Sequence, residues 1–152
     1  MAESGSTRRS GRRFEQQSKT WLRGADVIKF VINARPQPKE RSRTAKNGHH
    51  YTPQRTVNFE LTVAAEFRRQ YPNHDPLTGP LGLSVDIQFA KPKTVAKAYW
   101  HTNPGDTSNI VKAIEDGLNR VAWVDDRQVA KQDVEKHWGD SDRIIVSIWP
   151  LE

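Results

Sequence analysis

No cysteine occurs among the 152 residues, so disulfide bridges and thiolate-held zinc are both excluded. A chain without thiols fits a reducing compartment, and a cytoplasmic location is expected. No apolar run approaches the roughly 18 to 20 residues of a membrane helix. The N-terminus is polar and arginine-rich, so no secretory signal is expected there. The five histidines are scattered apart from His49-His50, and none falls in an HExxH-type spacing. Any metal should therefore be bound through oxygen.

What the chain does carry is positive charge, and it is unevenly placed. The net charge is +6, with a pI near 9.8. Residues 1–24 hold six Lys/Arg against two acids, and residues 26–56 hold seven against two. From Gly105 to Glu152 the balance reverses, with six basic residues against ten acids. A basic front half beside an acidic back half suits a protein that grips a phosphate backbone and cuts it with carboxylates. The competing reading is an ordinary basic soluble protein.

The acidic half is organised around GDTSNIVKAIEDGLNRVAWVDDRQ, residues 105 to 128. Thr107, Ser108 and Asn109 suit a helix start, because short polar side chains can accept from the unpaired amides of a first turn. Ile110, Ile114, Leu118 and Val121 recur at helical spacing and define a buried stripe. Lys112 lies off that stripe, one turn beyond Ser108 and Asn109, where its ammonium can stand beside whatever the helix start binds. Val121–Val124 reads as a short extended piece that delivers Asp125 and Asp126. Carboxylates from two turns with a lysine beside them are what a magnesium site for phosphodiester chemistry requires, since the metal needs hard oxygen donors and the phosphate a cation. Taken singly, an acid in the place of Asp106 is more often a helix cap, and a pair such as Asp125-Asp126 is usually a solvated turn.

The remaining chain reads as one α+β domain over residues 25–152, preceded by a disordered basic arm over residues 1–24 in which Trp21 and Leu22 mark the approach to the packed part. Val27–Ile32 is β-branched and aromatic, a first strand. Residues 34–56 are held out of regular structure by Pro36, Pro38 and Gly48, and their basic residues interleave with His50 and Tyr51, as a groove along a nucleic-acid backbone would need. A helix over 57–71 follows, with Phe59, Val63, Ala64 and Phe67 on one face. Leu83, Val85, Ile87 and Phe89 alternate with Ser84, Asp86 and Gln88 in a half-buried strand. Residues 91–104, with Tyr99, Trp100 and His101, lead into Asp106 and should rim the site. Residues 129–138 and 143–149 read as two strands, joined at Gly139-Asp140 as an antiparallel hairpin. The order is β-α-β-α-β-β, a mixed sheet covered by two helices.

Two blocks of this sequence resemble the RusA family of Holliday junction resolvases. The family pattern P-D-x-D-N-x-x-K, a helix, then D-D-x-Q is met in order by Asp106, Asn109, Lys112, Asp125, Asp126 and Gln128. Ser108 stands where the family has its second aspartate, and Gly105 where it often has another residue. A P-x-P-K-x-R-x-R loop ending in Y-T-P-x-x-T is met by Pro36, Pro38, Lys39, Arg41, Arg43, Tyr51, Thr52, Pro53 and Thr56.

The resemblance spans roughly residues 26–150. It implies a phage- or prophage-type, magnesium-dependent endodeoxyribonuclease, with manganese as a substitute, that resolves four-way DNA junctions by paired symmetric nicks in recombination and repair. The two-fold symmetry of a junction implies a homodimer. In this reading Asp106 and Asp126 hold the metal, Asp125 and Ser108 are further donors, and Lys112 stabilises charge or orients water. Lys39, Arg41, Arg43 and Arg55 hold the backbone, and Asn109 braces the turn or a ligand. Ser108 supports an alternative, a junction-binding relative without catalysis, because a hydroxyl is a weaker magnesium donor than a carboxylate. A nuclease with its acid and lysine separated by one strand residue is a third reading, which the adjacent pair Glu135-Lys136 fits poorly.

Overall fold

Leu81–Ala90 is the strand about which the fold is built, for every residue of it except the last is buried or half-buried. A strand apolar on one face and shielded on the other belongs at the centre of a sheet. The computed structural model describes residues 26–95 and 97–152, so the expected arm over residues 1–24 lies outside the described residues, as do Trp21 and Leu22. In chain order the elements are β1 (Ile28–Ile32), β2 (Arg43–Thr44), β3 (His50–Tyr51), α1 (Gln54–Gln70), β4 (Leu81–Ala90), α2 (Thr107–Leu118), β5 (Val129–Gly139) and β6 (Arg143–Pro150).

The main sheet runs β1-β6-β4-β5, with β4 and β5 parallel and the other pairs antiparallel. This is the expected α+β domain with a mixed sheet under two helices. Both helices lie on one face of the sheet. Phe30, Ile32, Leu83, Val85, Ile87, Ile144, Val146 and Ile148 are buried there with Phe59, Val63 and Phe67 of α1 and Ile110, Ile114 and Leu118 of α2. The helices touch closely at Gly117, where an added Cβ would sit 2.8 Å from the Glu60 carbonyl oxygen and 2.9 Å from Val63 Cβ. Any side chain at that position must push the helices apart, which typically costs about 1 to 3 kcal/mol.

Three local expectations are corrected. β5 and β6 are not a hairpin, because β4 lies between them and pairs with both. The turn after Gly139 carries the chain across the end of β4, where Gln88 Nε2 donates to the Ser141 carbonyl at 2.9 Å and Asp142 accepts from Ala90 N at 2.8 Å. A turn signal shows that a chain reverses, and burial decides which strand fills the gap. The charged β5, five of whose eleven residues are exposed, is left at the edge, where exposed charges also discourage pairing with other chains.

The basic loop, expected to be irregular throughout, contains the small β2–β3 hairpin. It turns at Asn47-Gly48, with Gly48 at φ +81°, a conformation that favours glycine and a turn pair typical of tight hairpins. Residues 121–124, expected to be extended, form a turn instead, with Arg120 at φ +64° and Trp123 fully buried.

Candidate active site

The predicted residues lie along α2 and the turn after it, and Lys112 and Asp126 are the pair among them that meet. Asp106 is the N-cap of α2, yet its side chain makes no capping hydrogen bond. A carboxylate in the cap position that does not cap is left exposed at the mouth of the helix. The turn before it is tied down from β5, whose Lys136 donates to the carbonyls of Gly105 at 2.8 Å and Asn103 at 3.1 Å. Ser108 and Asn109 follow in the first turn, both exposed. Asn109 contributes its backbone, for its carbonyl accepts from Lys39 N at 2.9 Å.

Lys112 stands one turn further along. Its ammonium lies 3.4 Å from Asp116 and 4.0 Å from Asp126. Burial works to lower its pKa, but the Asp116, Asp126 and Glu115 carboxylates more than offset that and raise it. It is therefore a permanent cation at neutral pH. Asp126 is aimed by a buried partner, since Trp123 Nε1 donates to its Oδ1 at 2.8 Å and leaves Oδ2 toward Lys112.

Asp125 does different work. Its Oδ1 accepts from Arg127 N at 2.9 Å and Arg127 Nε at 3.1 Å, while Gln128 Oε1 accepts from Asp125 N at 2.8 Å. This reciprocal capping box closes the short 3-10 turn Asp126–Gln128. The backbone amide of Arg127, more than its guanidinium, holds the Asp125 carboxyl below its ordinary range. Gln128 Nε2 then donates to the carbonyls of Leu77 and Gly79, at 2.9 and 3.0 Å, and fastens the turn to the segment before β4.

Sequence reasoning missed three acids in this neighbourhood. Asp116 sits between two lysines, paired with Lys112 and with Lys39. Its spacing of four from Lys112 on a helix was the available signal. Glu115, only 8% exposed, accepts from Gln132 of β5. Burial, then the charges of Asp126 and Asp116, pushes its carboxyl up to about 7 against the pull of Lys112. Glu60 of α1 is raised too, chiefly by burial and then by Asp116, with Lys39 and Lys112 pulling the other way.

The basic loop is anchored to this acidic groove. Lys39, expected to face a nucleic-acid backbone, has its ammonium on Asp116. The Thr56 hydroxyl, buried in the first turn of α1, accepts from Glu40 N at 3.1 Å. Beyond that anchor Arg41, Arg43, His50 and Tyr51 are exposed, with Arg43 3.2 Å from Glu40, and Arg55 is exposed in the first turn of α1. Beside β5, and not in contact with the acidic groove, Tyr99 and Trp100 are 53% and 58% exposed, and Tyr99 lies against His137. His101 is buried, ring-stacked on Phe89 at 4.0 Å, and burial keeps its pKa low.

Asp86 and the Glu135-Lys136 pair fall elsewhere. Asp86 points to the sheet face opposite the helices, in the alternation Ser84–Asp86–Gln88. Glu135 and Lys136 face opposite sides of β5, so the acid–lysine strand reading finds no paired site there. Among the described residues, one trio of possible ligands lies within 4.8 Å, and it is Asp86, Glu135 and His137 rather than Asp106, Asp125 and Asp126.

The groups on this side of the molecule are thus an exposed carboxylate at a helix mouth, a second one held by an indole beside a charged lysine, and a basic loop anchored to α2 through Asp116 and the Asn109 carbonyl. Comparison with known proteins places the chain in a family. A protein of Bacillus subtilis (strain 168), the uncharacterized protein YqaN, is 28% identical to this chain over 137 residues, covering 81% of this chain and 96% of that protein. The sequence pattern of endodeoxyribonuclease RusA matches residues 33–149, which include the basic loop, both helices and both acid turns. The chain belongs to the RusA family of endodeoxyribonucleases.

Proposed function

We propose that the protein is a divalent-metal-dependent endonuclease that nicks four-way DNA junctions, with Asp106, Lys112 and Asp126 at the reacting phosphate. The observation that carries this is Asp126, oriented by Trp123 and 4.0 Å from a permanently charged Lys112. A carboxylate fixed beside an ammonium, with a second uncapped carboxylate in Asp106, is a suitable donor set for magnesium, which prefers a few carboxylates and several waters. The mutual repulsion of Glu115, Asp116 and Asp126 also favours a cation among them. These residues fit the metal, manganese being the natural substitute. When bound, magnesium supplies Lewis acidity at the phosphate and an activated water.

The residues of the chain divide the remaining work. Asp106 and Asp126 hold the metal, and Lys112 offsets the charge that grows on the phosphate oxygens. Asp116 holds Lys112 and Lys39 in place. Ser108, exposed in the first turn of α2, contributes through water at most, and Asp125 supports Asp126 by capping the turn that carries it. Arg41, Arg43 and Arg55 grip phosphates without reading sequence, while Lys39 braces the loop against α2. Tyr51, Tyr99 and Trp100 offer stacking surfaces for the unpaired bases that a branch point exposes. The substrate has two-fold symmetry, so two copies of the chain place one nick on each side.

Competition binding at fixed salt, with a synthetic four-way junction and a linear duplex of the same sequence, tests substrate choice. Preference for the junction is expected, with affinity falling steeply as salt rises. Equal affinity for both forms overturns junction selectivity. Junction binding without nicking in magnesium or manganese replaces the enzyme with a binding relative.

A further inference from the structure

The sheet face turned away from the helices carries a second group of ligating side chains. Asp86 on β4 and Glu135 on β5 are direct partners across the parallel ladder, and His137 stands two residues further along the same face. One oxygen from each acid and one His137 ring nitrogen all lie within 4.8 Å of one another. Two carboxylates directly opposed on neighbouring strands repel, so their juxtaposition favours a cation between them.

The imidazole is set up to face them. His137 Nδ1 is turned to the Trp138 carbonyl, 3.0 Å away, while Nε2 bonds to Asp86. With the Nδ1 proton donated to a backbone carbonyl, the orientation matches that of metal-binding histidines, whose second nitrogen is held by an outer acceptor. The ring is only 8% exposed, and Tyr99 stacks on it at 5.0 Å and 3°.

We propose that Asp86, Glu135 and His137 form a second cation site, for a transition-metal ion of the zinc or cobalt class, which takes the place of the proton on His137 Nε2. Mixed imidazole and carboxylate donors suit that class, whereas magnesium prefers the all-oxygen set on the helix side. Three protein ligands leave the remaining positions to water. The bound ion joins β4 to β5 at the point where residues 99–101 pair with β5, through Trp138 N to the Tyr99 carbonyl at 2.8 Å and His101 N to the Lys136 carbonyl at 3.2 Å. From the same stretch of β5, Lys136 holds the turn before Asp106. The ion thus stiffens the support of the helix-side site without entering it.

The test is a cobalt(II) titration, followed by visible absorption, of the full chain carrying Asp106→Asn and Asp126→Asn, which silences the helix-side acids. One cobalt per chain is expected, displaced by zinc and not by an equal concentration of magnesium. Zinc should also raise the melting temperature, because it binds only the folded state. Adding Glu135→Gln should weaken cobalt binding roughly tenfold or more and remove the zinc-dependent melting shift. His137→Gln should abolish both; if that variant does not fold, Glu135→Gln decides alone, since Glu135 is exposed. No cobalt spectrum, or an affinity unchanged by Glu135→Gln, overturns the proposal. The first result leaves His137 as an imidazolium paired with its acids, and the second assigns the ion to another donor set such as His49-His50.

Discussion

Both faces of the sheet gather carboxylates, but they are accompanied by different cations. On the helix face, Asp116 and Asp126 stand with Lys112, and Asp116 also with Lys39. On the opposite face, Asp86 and Glu135 stand with a histidine. Lysine is charged at any working pH, so the helix-side group keeps a fixed positive charge among its acids. An imidazole can lose its proton to a metal or to base, so the far-face group is exchangeable. Clusters of acids on the two faces therefore do not make equivalent sites.

The largest expected effect separates catalysis from binding on the helix face. Asp126→Asn should lower metal-dependent nicking by at least about a hundredfold, because it removes a charged ligand beside Lys112. Junction affinity should be retained or slightly increased, since repulsion between the site and phosphate falls. Nicking assays and equilibrium binding on the same preparation check both. A lowered melting temperature with lost circular dichroism would instead make Asp126 a structural partner of Trp123.

The next two effects compare the faces by pH in metal-free protein. The Glu115 carboxyl is raised from 4.5 to about 7, chiefly by burial, so its neutral form is the one the fold favours. Stability linked to it is present below pH 4.5 and is lost as pH rises toward 7, by at most about 3 kcal/mol. Glu115→Gln should flatten that window, as followed by urea unfolding at several pH values with chelator present. An unchanged slope would mean that Glu115 ionises freely.

His137 is raised above 6.5, first by its bond to Asp86, against the opposing effect of burial. Its contribution is complete below pH 6.5 and is lost as pH climbs through the folded-state value. Asp86→Asn should therefore destabilise the chain more at pH 6 than at pH 9, by the same unfolding measurement. The same loss at both pH values would break the comparison. Both groups lose stability with rising pH, but in successive windows that the two variants separate.

The smallest expected effect is at Ser108. Ser108→Asp adds an anionic group in the first turn of α2, worth about 0.3 to 1 kcal/mol from the helix dipole alone. It should lower the magnesium concentration for half-maximal nicking, as a metal titration of both proteins would show. Unchanged metal dependence would mean that the side chain at 108 points away from the metal.

Local pattern alone marked out most of the elements, because an amphipathic helix or a half-buried strand is written in spacing. The 3.6-residue stripe Ile110–Ile114–Leu118 and the alternation Leu83–Val85–Ile87–Phe89 appear as α2 and β4. The Asn47-Gly48 hairpin turn is as local, but with Pro36 and Pro38 before it the stretch reads as a loop without strands. Asp106, Lys112 and Asp126 could be singled out because the acid turns and the lysine keep a recognisable order along the chain.

Tertiary structure decided what a linear pattern does not contain. Asp125 and Asp126 are neighbours of the same type, and only the buried Trp123 indole and the Arg127 amide divide them into an acid facing Lys112 and a turn cap. By its charge alone Lys39 is a phosphate contact, but its ammonium is held by Asp116, seventy-seven positions away. The strand order, with β4 placed between β5 and β6, follows from which strand has the most apolar surface to bury. Asp86 and Glu135 become a pair with His137 beside them because that order sets β4 against β5 in parallel register. Propensity and periodicity act over a few residues and can be read in sequence, whereas burial and charge act through space, so their partners exist only once the sheet has closed.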